Sequence, residues 1–183
     1  MFNLFKPKSK LGIDIGTSSI KIVELNKSSG RFVLGNYGIF DLKEMISDFS
    51  FNGQGIKLPD EETVWGIREV IKASGMKSKN AVAAVPSIST FSTVIEMPYL
   101  SEDDLAKAIP FEARKYVPIP LDEVILDWSI IGVKDQNGAT IEKGATATGK
   151  TIVEVFLAAV PKDETVRYQH IMKDAGLNLV ALE

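Results

Sequence analysis

The chain has 183 residues, a net charge of −3 and no cysteine, and 45% of its residues are hydrophobic. Its length fits one domain, or one and a half small ones, with a sizeable core. The negative charge argues against nucleic acid as the main partner. The lack of cysteine excludes disulfides and thiolate metal sites and fits a cytoplasmic location, and no apolar run reaches the roughly 18 residues needed to span a bilayer.

Residues 1–10 are a predicted tail without an apolar segment of signal-peptide length. Phe2, Leu4 and Phe5 precede three lysines in this tail. This pattern fits an irregular lead-in, and it also fits a segment that touches a membrane surface or a partner.

The first predicted element is the stretch LGIDIGTSSIK, residues 11–21. It begins as a strand with apolar residues on one face, turns, and continues as a second strand over residues 20–25. Gly16 permits a positive φ and a close approach of backbone amides to an anion, Lys21 supplies a charge for phosphate, and Asp14 is placed to orient waters around Mg²⁺. Hydroxyl donors complete the turn: Thr17, Ser18 and Ser19. The same composition suits a plain hairpin turn, so spacing alone leaves both alternatives open.

A third extended run over residues 31–42 completes an antiparallel meander. Residues 43–59 have no clear period and are predicted to form a surface loop. The next element is a helix over residues 60–74, with Asp60 as its N-cap and Gly75 ending it. Residues 81–85 are apolar on both faces, which predicts a buried strand in a mixed sheet.

The pattern changes from residue 88 onward. We expect a strand over residues 91–97 and a helix over 101–117, with a capping box of Ser101 and Asp104 and a kink or break near Ile109 caused by Pro110. The remaining predicted elements are a strand at 123–133, a turn at 135–138, a polar arm at 140–150, a central strand at 151–160, a helix at 161–175 ended by Gly176, and a strand at 177–182.

Without residues 88–150, the order is three strands, a helix and a strand, followed by strand, helix and strand. Such an order builds a mixed sheet covered by helices. Ligands bind beyond strand ends in sheets of this kind, where the turn of residues 16–19 is expected to lie.

Other candidate motifs have simpler explanations. Residues 144–151 match the phosphate-binding pattern G-x-x-x-x-G-K-[ST], but they run into strand-like sequence instead of the helix that this motif requires, so we interpret the match as chance. His170 is the single histidine and is expected to be a surface or packing residue. No constellation of catalytic residues is identified.

The spacing of Asp14, Gly16 and Lys21 resembles the first phosphate loop of the actin, Hsp70 and sugar-kinase superfamily. Longer strings, at residues 12–25, 94–105, 111–128 and 155–177, resemble the PilM family. These are actin-like, FtsA-related ATP-binding proteins of type IV pilus assembly. The resemblance covers nearly the whole chain, and the run "MP…SE-x-DL…EA…Y-x-P-x-PLDEV" is specific.

The resemblance implies an α/β, actin-like (ribonuclease-H-like) fold. Residues 11–87 and 151–183 would form subdomain 1A, and residues 88–150 an inserted 1C-like subdomain. No second phosphate loop or adenosine pocket is recognisable, so the chain is expected to be an N-terminal half that binds nucleotide weakly and does not hydrolyse ATP alone.

The resemblance also implies roles. Asp14 would position Mg²⁺ through water, and ATP phosphates would contact a set of turn residues: Gly16, Thr17, Ser18, Ser19 and Lys21. The implied partners are the cytoplasmic N-terminal peptide of a PilN-type inner-membrane protein, in the cleft between 1A and 1C, and other pilus platform and motor proteins. Residues 97–100 and 111–116 are the candidate peptide contacts. The implied location is the cytoplasmic face of the inner membrane.

Two alternatives stay open at this point. An ATPase or sugar-kinase relative would need both halves of the nucleotide site and a catalytic base, and no base is identifiable. An FtsA-like division protein would carry a C-terminal membrane-binding helix, of which this sequence shows no sign.

Overall fold

The computed structural model describes residues 9–42, 58–135, 139–140 and 151–183. The chain divides into two compact units. The first unit consists of Met1–Pro86 and Thr165–Glu183, and the second is Ser87–Glu164. Most of the expected tail, surface loop, polar arm and turn at 135–138 lies outside the described residues.

A five-stranded mixed sheet forms the first unit, in the order β3-β2-β1-β4-β8. Its strands are β1 (Ser9–Ile15), β2 (Ser19–Ser28), β3 (Arg31–Asp41), β4 (Asn80–Ala84) and β8 (Asn178–Leu182). β1, β2 and β3 form the predicted antiparallel meander, while β4 runs parallel to both β1 and β8. The meander and the strand at 81–85 in a mixed sheet are therefore confirmed, but only one face of that strand is buried.

Two helices pack on one face of this sheet, α1 (Asp60–Ala73) and α3 (Lys162–Asp174). The core joins alternate strand residues to one side of each helix: Leu11, Ile13, Ile20, Ile22, Ala81 and Ala83 from the strands, with Ile67, Val70, Tyr168, Ile171 and Met172 from the helices. Glycines with positive φ follow both helices, Gly75 at 65° and Gly176 at 77°, as the sequence predicts.

Asp60 is not the N-cap of α1, contrary to expectation. Pro59 holds the cap position without a side-chain hydrogen bond, and Asp60 is the first helical residue. Its carboxylate instead accepts a hydrogen bond of 2.6 Å from Nε of Arg167, whose guanidinium also donates to the carbonyl of Leu58. A tertiary ion pair thus replaces the local cap.

The second unit is a three-stranded antiparallel sheet in the order β5-β7-β6, covered by one helix. Its elements are β5 (Phe91–Pro98), α2 (Glu102–Ala113), β6 (Val124–Lys134) and β7 (Ile152–Pro161), with a short 3₁₀ turn at Ser87–Ser89. The core lies between the sheet and α2, where Leu105 and Ile109 meet Val155 and Leu157.

The expectation that residues 151–160 return to the first sheet is wrong. β7 pairs with β5 on one side and β6 on the other, so the second unit extends to Glu164 instead of ending at Lys150. A continuously apolar sequence identifies a central strand, but it does not say which sheet contains that strand. The strand itself is confirmed, so residues 152–161 do not open the helix that a P-loop needs.

Helix α2 begins as predicted and ends early. Ser101 Oγ accepts from the Asp104 amide at 3.2 Å, which is the predicted cap. The helix ends at Ala113 instead of Val117, and it contains Pro110 without a break. Pro110 lies on the exposed side of the helix, where water can satisfy the carbonyl that loses its partner.

Candidate functional site

The turn between β1 and β2 is held by backbone hydrogen bonds. The Gly16 amide donates to the Ser19 carbonyl at 2.9 Å, and the Leu42 amide donates to the Ser18 carbonyl at 2.9 Å. Thr17 and Ser18 of this turn are exposed. The turn is therefore fixed in shape while its hydroxyl groups face solvent.

Gly16 does not adopt a positive φ, contrary to the sequence-based expectation. Instead, the space around Gly16 leaves little room for a side chain, because a Cβ at this position would lie 3.2 Å from the Ser19 carbonyl oxygen. A side chain would press on the tight turn and occupy the surface above it. The close approach of backbone, and not an unusual dihedral angle, accounts for glycine here.

Asp14 and Lys21 lie opposite each other on β1 and β2. Nζ of Lys21 is 3.4 Å from Oδ2 of Asp14, and the side chains are 54% and 52% exposed. An ion pair with this exposure contributes about 0–1 kcal/mol to stability, so neither group is committed to the fold. An ammonium can hold a phosphate oxygen, and a carboxylate can hold a hydrated Mg²⁺.

The turn lies at the edge where the three parallel strands end. β1 and β4 finish at Ile15 and Ala84. Beyond them, the Val85 amide donates to the Glu183 carbonyl at 2.8 Å, and the Glu183 amide donates to the Ala83 carbonyl at 3.0 Å. Carboxyl ends of parallel strands are where mixed α/β sheets bind ligands.

Asp14 is the carboxylate that the sequence assigns to metal binding at this turn. Among the residues that the structure describes, no group of three His, Cys, Asp or Glu side chains could hold a metal ion. One exposed carboxylate beside hydroxyl groups and open backbone is compatible with Mg²⁺, which keeps most of its waters. The six residues selected from the sequence are thus brought together, and the donor set fits Mg²⁺ bound together with a polyphosphate.

A buried carboxylate, which was not identified from the sequence, stabilises the other end of the same hairpin. Glu24 is only 5% exposed. It accepts hydrogen bonds from Nδ2 of Asn36 at 3.0 Å and from the amides of Lys77 and Ser78 at 3.1 and 2.8 Å. Burial by itself would raise the pKa of Glu24, but these hydrogen bonds and the Lys77 charge outweigh burial and hold the pKa below its ordinary value. An acid at an inward position after Ile20 and Ile22 was the signal available in the sequence.

The side chains selected for peptide binding are mostly exposed in the second unit. Met97 is buried, but Tyr99 is 51% and Phe111 68% exposed. The Arg114 guanidinium lies 5.5 Å from the centre of the Phe111 ring. Next to this helix end, a shallow groove of about 530 Å³ is lined by Arg114 and residues 117–122.

Two further sequence-based expectations concern His170 and membrane-spanning segments. His170 is exposed on α3, as a surface residue. No helix in the described part of the chain is long and apolar enough to cross a membrane.

Two solved structures share this architecture. A chain of a PilM–PilN type IV pilus biogenesis complex matches with a TM-score of 0.72 at 21% identity, over 95% of this chain and 46% of that one. The cytoplasmic domain of EpsL, an inner-membrane component of the type II secretion system of Vibrio cholerae, matches with a TM-score of 0.52 at 12% identity, over 95% of this chain and 56% of that domain. The chain therefore spans about half the length of the structures that it matches.

The fold is that of the actin-like ATPase class, a mixed α/β fold dominated by sheets. The family model of the type IV pilus assembly protein PilM matches residues 12–182. The chain belongs to the PilM family.

Proposed function

We propose that the chain is part of a cytoplasmic adaptor of type IV pilus assembly, which binds the N-terminal peptide of a PilN-type inner-membrane protein. The observation that carries this proposal is the family match over residues 12–182. The likeness to a chain solved in a PilM–PilN complex supports it. Binding to such a partner would hold the adaptor at the cytoplasmic face of the inner membrane.

Exposed aromatic side chains in the second unit are the proposed peptide contacts. Tyr99, Phe111 and Tyr116 are 51%, 68% and 43% exposed. Aromatic residues anchor peptides efficiently because each presents a large area with few rotatable bonds. Arg114, at the same helix end, adds a cationic group for the backbone or an acidic residue of the peptide.

The turn of residues 16–19 is the proposed nucleotide site. Lys21 and the turn hydroxyls would hold the phosphates of ATP, and Asp14 would hold Mg²⁺ through its waters. Bound Mg²⁺ would neutralise phosphate charge. ATP would act here as a conformational ligand.

Titration of a fluorescent PilN-type N-terminal peptide into the 183-residue chain tests the adaptor role. We expect saturable binding that Phe111→Ala weakens at least tenfold. Phe32→Ala is the matched control, because Phe32 is a similarly exposed phenylalanine, at 62%, in the first unit. Absence of binding at near-millimolar peptide would overturn the adaptor proposal, whereas equal losses in the two variants would overturn only the assigned contacts.

A further inference from the structure

β3 is an edge strand with unusual freedom to pair. It pairs with β2 on one side and is terminal in its sheet, so its other edge has no strand partner in the part of the chain that the structure describes. Its 11 residues contain no proline, and its charged residues are confined to its ends, Arg31 and Asp41. Edge strands usually carry an inward charge, a proline or a cover that prevents pairing with another chain.

A bulge in β3 places four of its five exposed apolar residues on a single face. The register with β2 shifts between Glu24 and Leu25, which leaves Gly35 as the extra residue. A Cβ on Gly35 would lie 2.4 Å from Nδ2 of Asn26 and 3.2 Å from the Glu24 carbonyl oxygen. A side chain here would displace the flexible Asn26 amide and press on the Glu24 carbonyl, so glycine suits the bulge.

The bulge resets the alternation of side chains along β3. Tyr37 and Ile39 lie opposite Val23 and Lys21, on the face away from the helices. Beyond the bulge, Leu34 and Phe32 lie opposite Leu25 and Lys27, which belong to the same face of β2. In a regular strand, residues 32 and 34 would point to the other face from residues 37 and 39.

These four residues form the outer stripe of β3: Phe32, Leu34, Tyr37 and Ile39. Their exposed fractions are 62%, 54%, 68% and 64%, and the adjacent Val23 of β2 is 37% exposed. With about 200 Å² for each aromatic side chain and somewhat less for each aliphatic one, the stripe presents roughly 500 Å² of apolar surface. Isolated exposed apolar residues are ordinary, but a continuous patch of this size indicates an interaction surface.

We propose that β3 pairs antiparallel with β3 of a second copy of this chain, about a twofold axis between Gly35 and Asn36. This register is the one in which outer-face residues of both copies meet each other. It brings Tyr37 opposite Leu34 of the second copy and Ile39 opposite Phe32 of the second copy, and the twofold axis repeats each contact. Four apolar pairs would follow one another across the interface, with no like charges opposed.

The self-complementarity of the strand selects a second copy over an unrelated extended peptide. A twofold interface requires one surface to match itself, and the outer stripe meets this requirement at all four positions. Edge-to-edge pairing would bury the facing sides of these residues in addition to forming the backbone hydrogen bonds of a two-strand ladder, which gives a specific but weak interface. The two sheets would join into one continuous sheet.

Analytical ultracentrifugation of the 183-residue chain tests this pairing over concentrations from about 1 μM to about 1 mM, the range for weak interfaces. We expect a reversible monomer–dimer equilibrium. The Leu34→Lys/Tyr37→Lys variant places like charges opposite each other in the proposed register and should remain monomeric. The matched Leu34→Glu/Tyr37→Lys variant places opposite charges there and should dimerise. A wild-type monomer at all concentrations, or equal behaviour of the two variants, would show the proposal to be wrong.

Disulfide trapping provides a second measurement that does not depend on charged substitutions. The chain has no cysteine, so Leu34→Cys and Tyr37→Cys can be introduced singly. Residues directly opposite in an antiparallel ladder bring Cα atoms to about 4.5–5.5 Å, within reach of a disulfide. Oxidation of a mixture of the two variants should trap mixed dimers in large excess over either variant alone. Equal trapping in all three samples would contradict the register.

Discussion

Lys21 faces Asp14 directly across the β1–β2 ladder, with 3.4 Å between ammonium and carboxylate and both side chains about half exposed. The pair stands at the end of the hairpin, beside a turn whose backbone is fixed by Gly16 and Leu42. The fold thus holds two opposite charges in place without using them for stability. Such an arrangement is suited to a ligand that carries both signs, as a polyphosphate with its Mg²⁺ does.

Replacing Lys21 tests the nucleotide site. Lys21→Met should remove most binding of Mg·ATP, because the only cationic side chain proposed to hold the phosphates is lost. Binding can be measured from amide shifts of residues 14–21 in the 183-residue chain at millimolar Mg·ATP. Lys27→Met is the matched control, since Lys27 is also exposed on β2 and lies six residues further from the turn on the same face.

Gly16→Val should give the same loss by a steric route, because its Cβ would lie 3.2 Å from the Ser19 carbonyl oxygen. The assignment of the phosphate loop would be refuted if Mg·ATP shifted the amide signals of the Lys21 variant as much as those of the wild type. It would also be refuted if the Lys27 variant lost as much Mg·ATP binding as the Lys21 variant.

Glu24→Gln should destabilise the first unit. All three partners of this carboxylate are donors, so the amide group of glutamine would direct its own N–H toward at least one of them. A buried, unsatisfied donor and the loss of charged hydrogen bonds cost about 2–3 kcal/mol. Urea unfolding followed by Trp65 fluorescence in a Trp128→Phe background reports on the first unit, with Glu123→Gln as an exposed control.

The effect of Glu24 on stability depends on pH. Its pKa is lower in the folded chain than the ordinary value of 4.5, so its contribution is fully present above the unfolded pKa and is lost as pH falls through the folded pKa. The difference in unfolding free energy between wild type and Glu24→Gln should therefore be constant near neutral pH and shrink below about pH 4. A difference that grows in acid would contradict the assigned charge state.

Gly66→Ala tests the packing of α1 against the meander. Alanine favours a helix by about 1 kcal/mol over glycine, yet its Cβ would lie 2.8 Å from Cδ1 of the fully buried Ile20 and 3.3 Å from Cδ1 of Phe40. Overpacking of this kind costs about 1–3 kcal/mol, so we expect net destabilisation. The control is Lys72→Ala at an exposed position of the same helix, and a Gly66→Ala variant more stable than wild type would disprove the close contact.

The sequence predicted local features well and failed where structure depends on distant partners. Alternation identified β1 through β3, and Ser101 and Gly176 marked helix ends as they do in the structure. Neither the pairing of β7 with β5 and β6 nor the use of Asp60 by Arg167 could be read locally. Both depend on contacts between segments whose spatial order the sequence does not state.

The candidate site follows the same division. Spacing could relate Asp14, Gly16 and Lys21 because they lie on one hairpin, and their role in binding stays a prediction. The Leu42 amide that fixes Ser18 was missed, because a backbone donor after the third strand leaves no residue-type signal. The bulge at Gly35 was missed for a related reason, since a glycine in an apolar strand does not reveal what its missing side chain would strike.

Lys134 provides a last test, in the second unit. Its ammonium lies 2.5 Å from Glu154 on the adjacent strand β7 and 3.8 Å from Glu96 on β5, the strand beyond β7. The hydrogen bond to Glu154 outweighs burial and raises the pKa of Lys134, and the charge of Glu96 adds to the effect. Lys134→Met should destabilise the second unit because it leaves two carboxylates near each other without a cation, and Lys134→Met/Glu154→Gln should recover part of the loss. Urea unfolding followed by Trp128 fluorescence in a Trp65→Phe background measures both, and a double variant no more stable than the single one would show that carboxylate repulsion is not the cause.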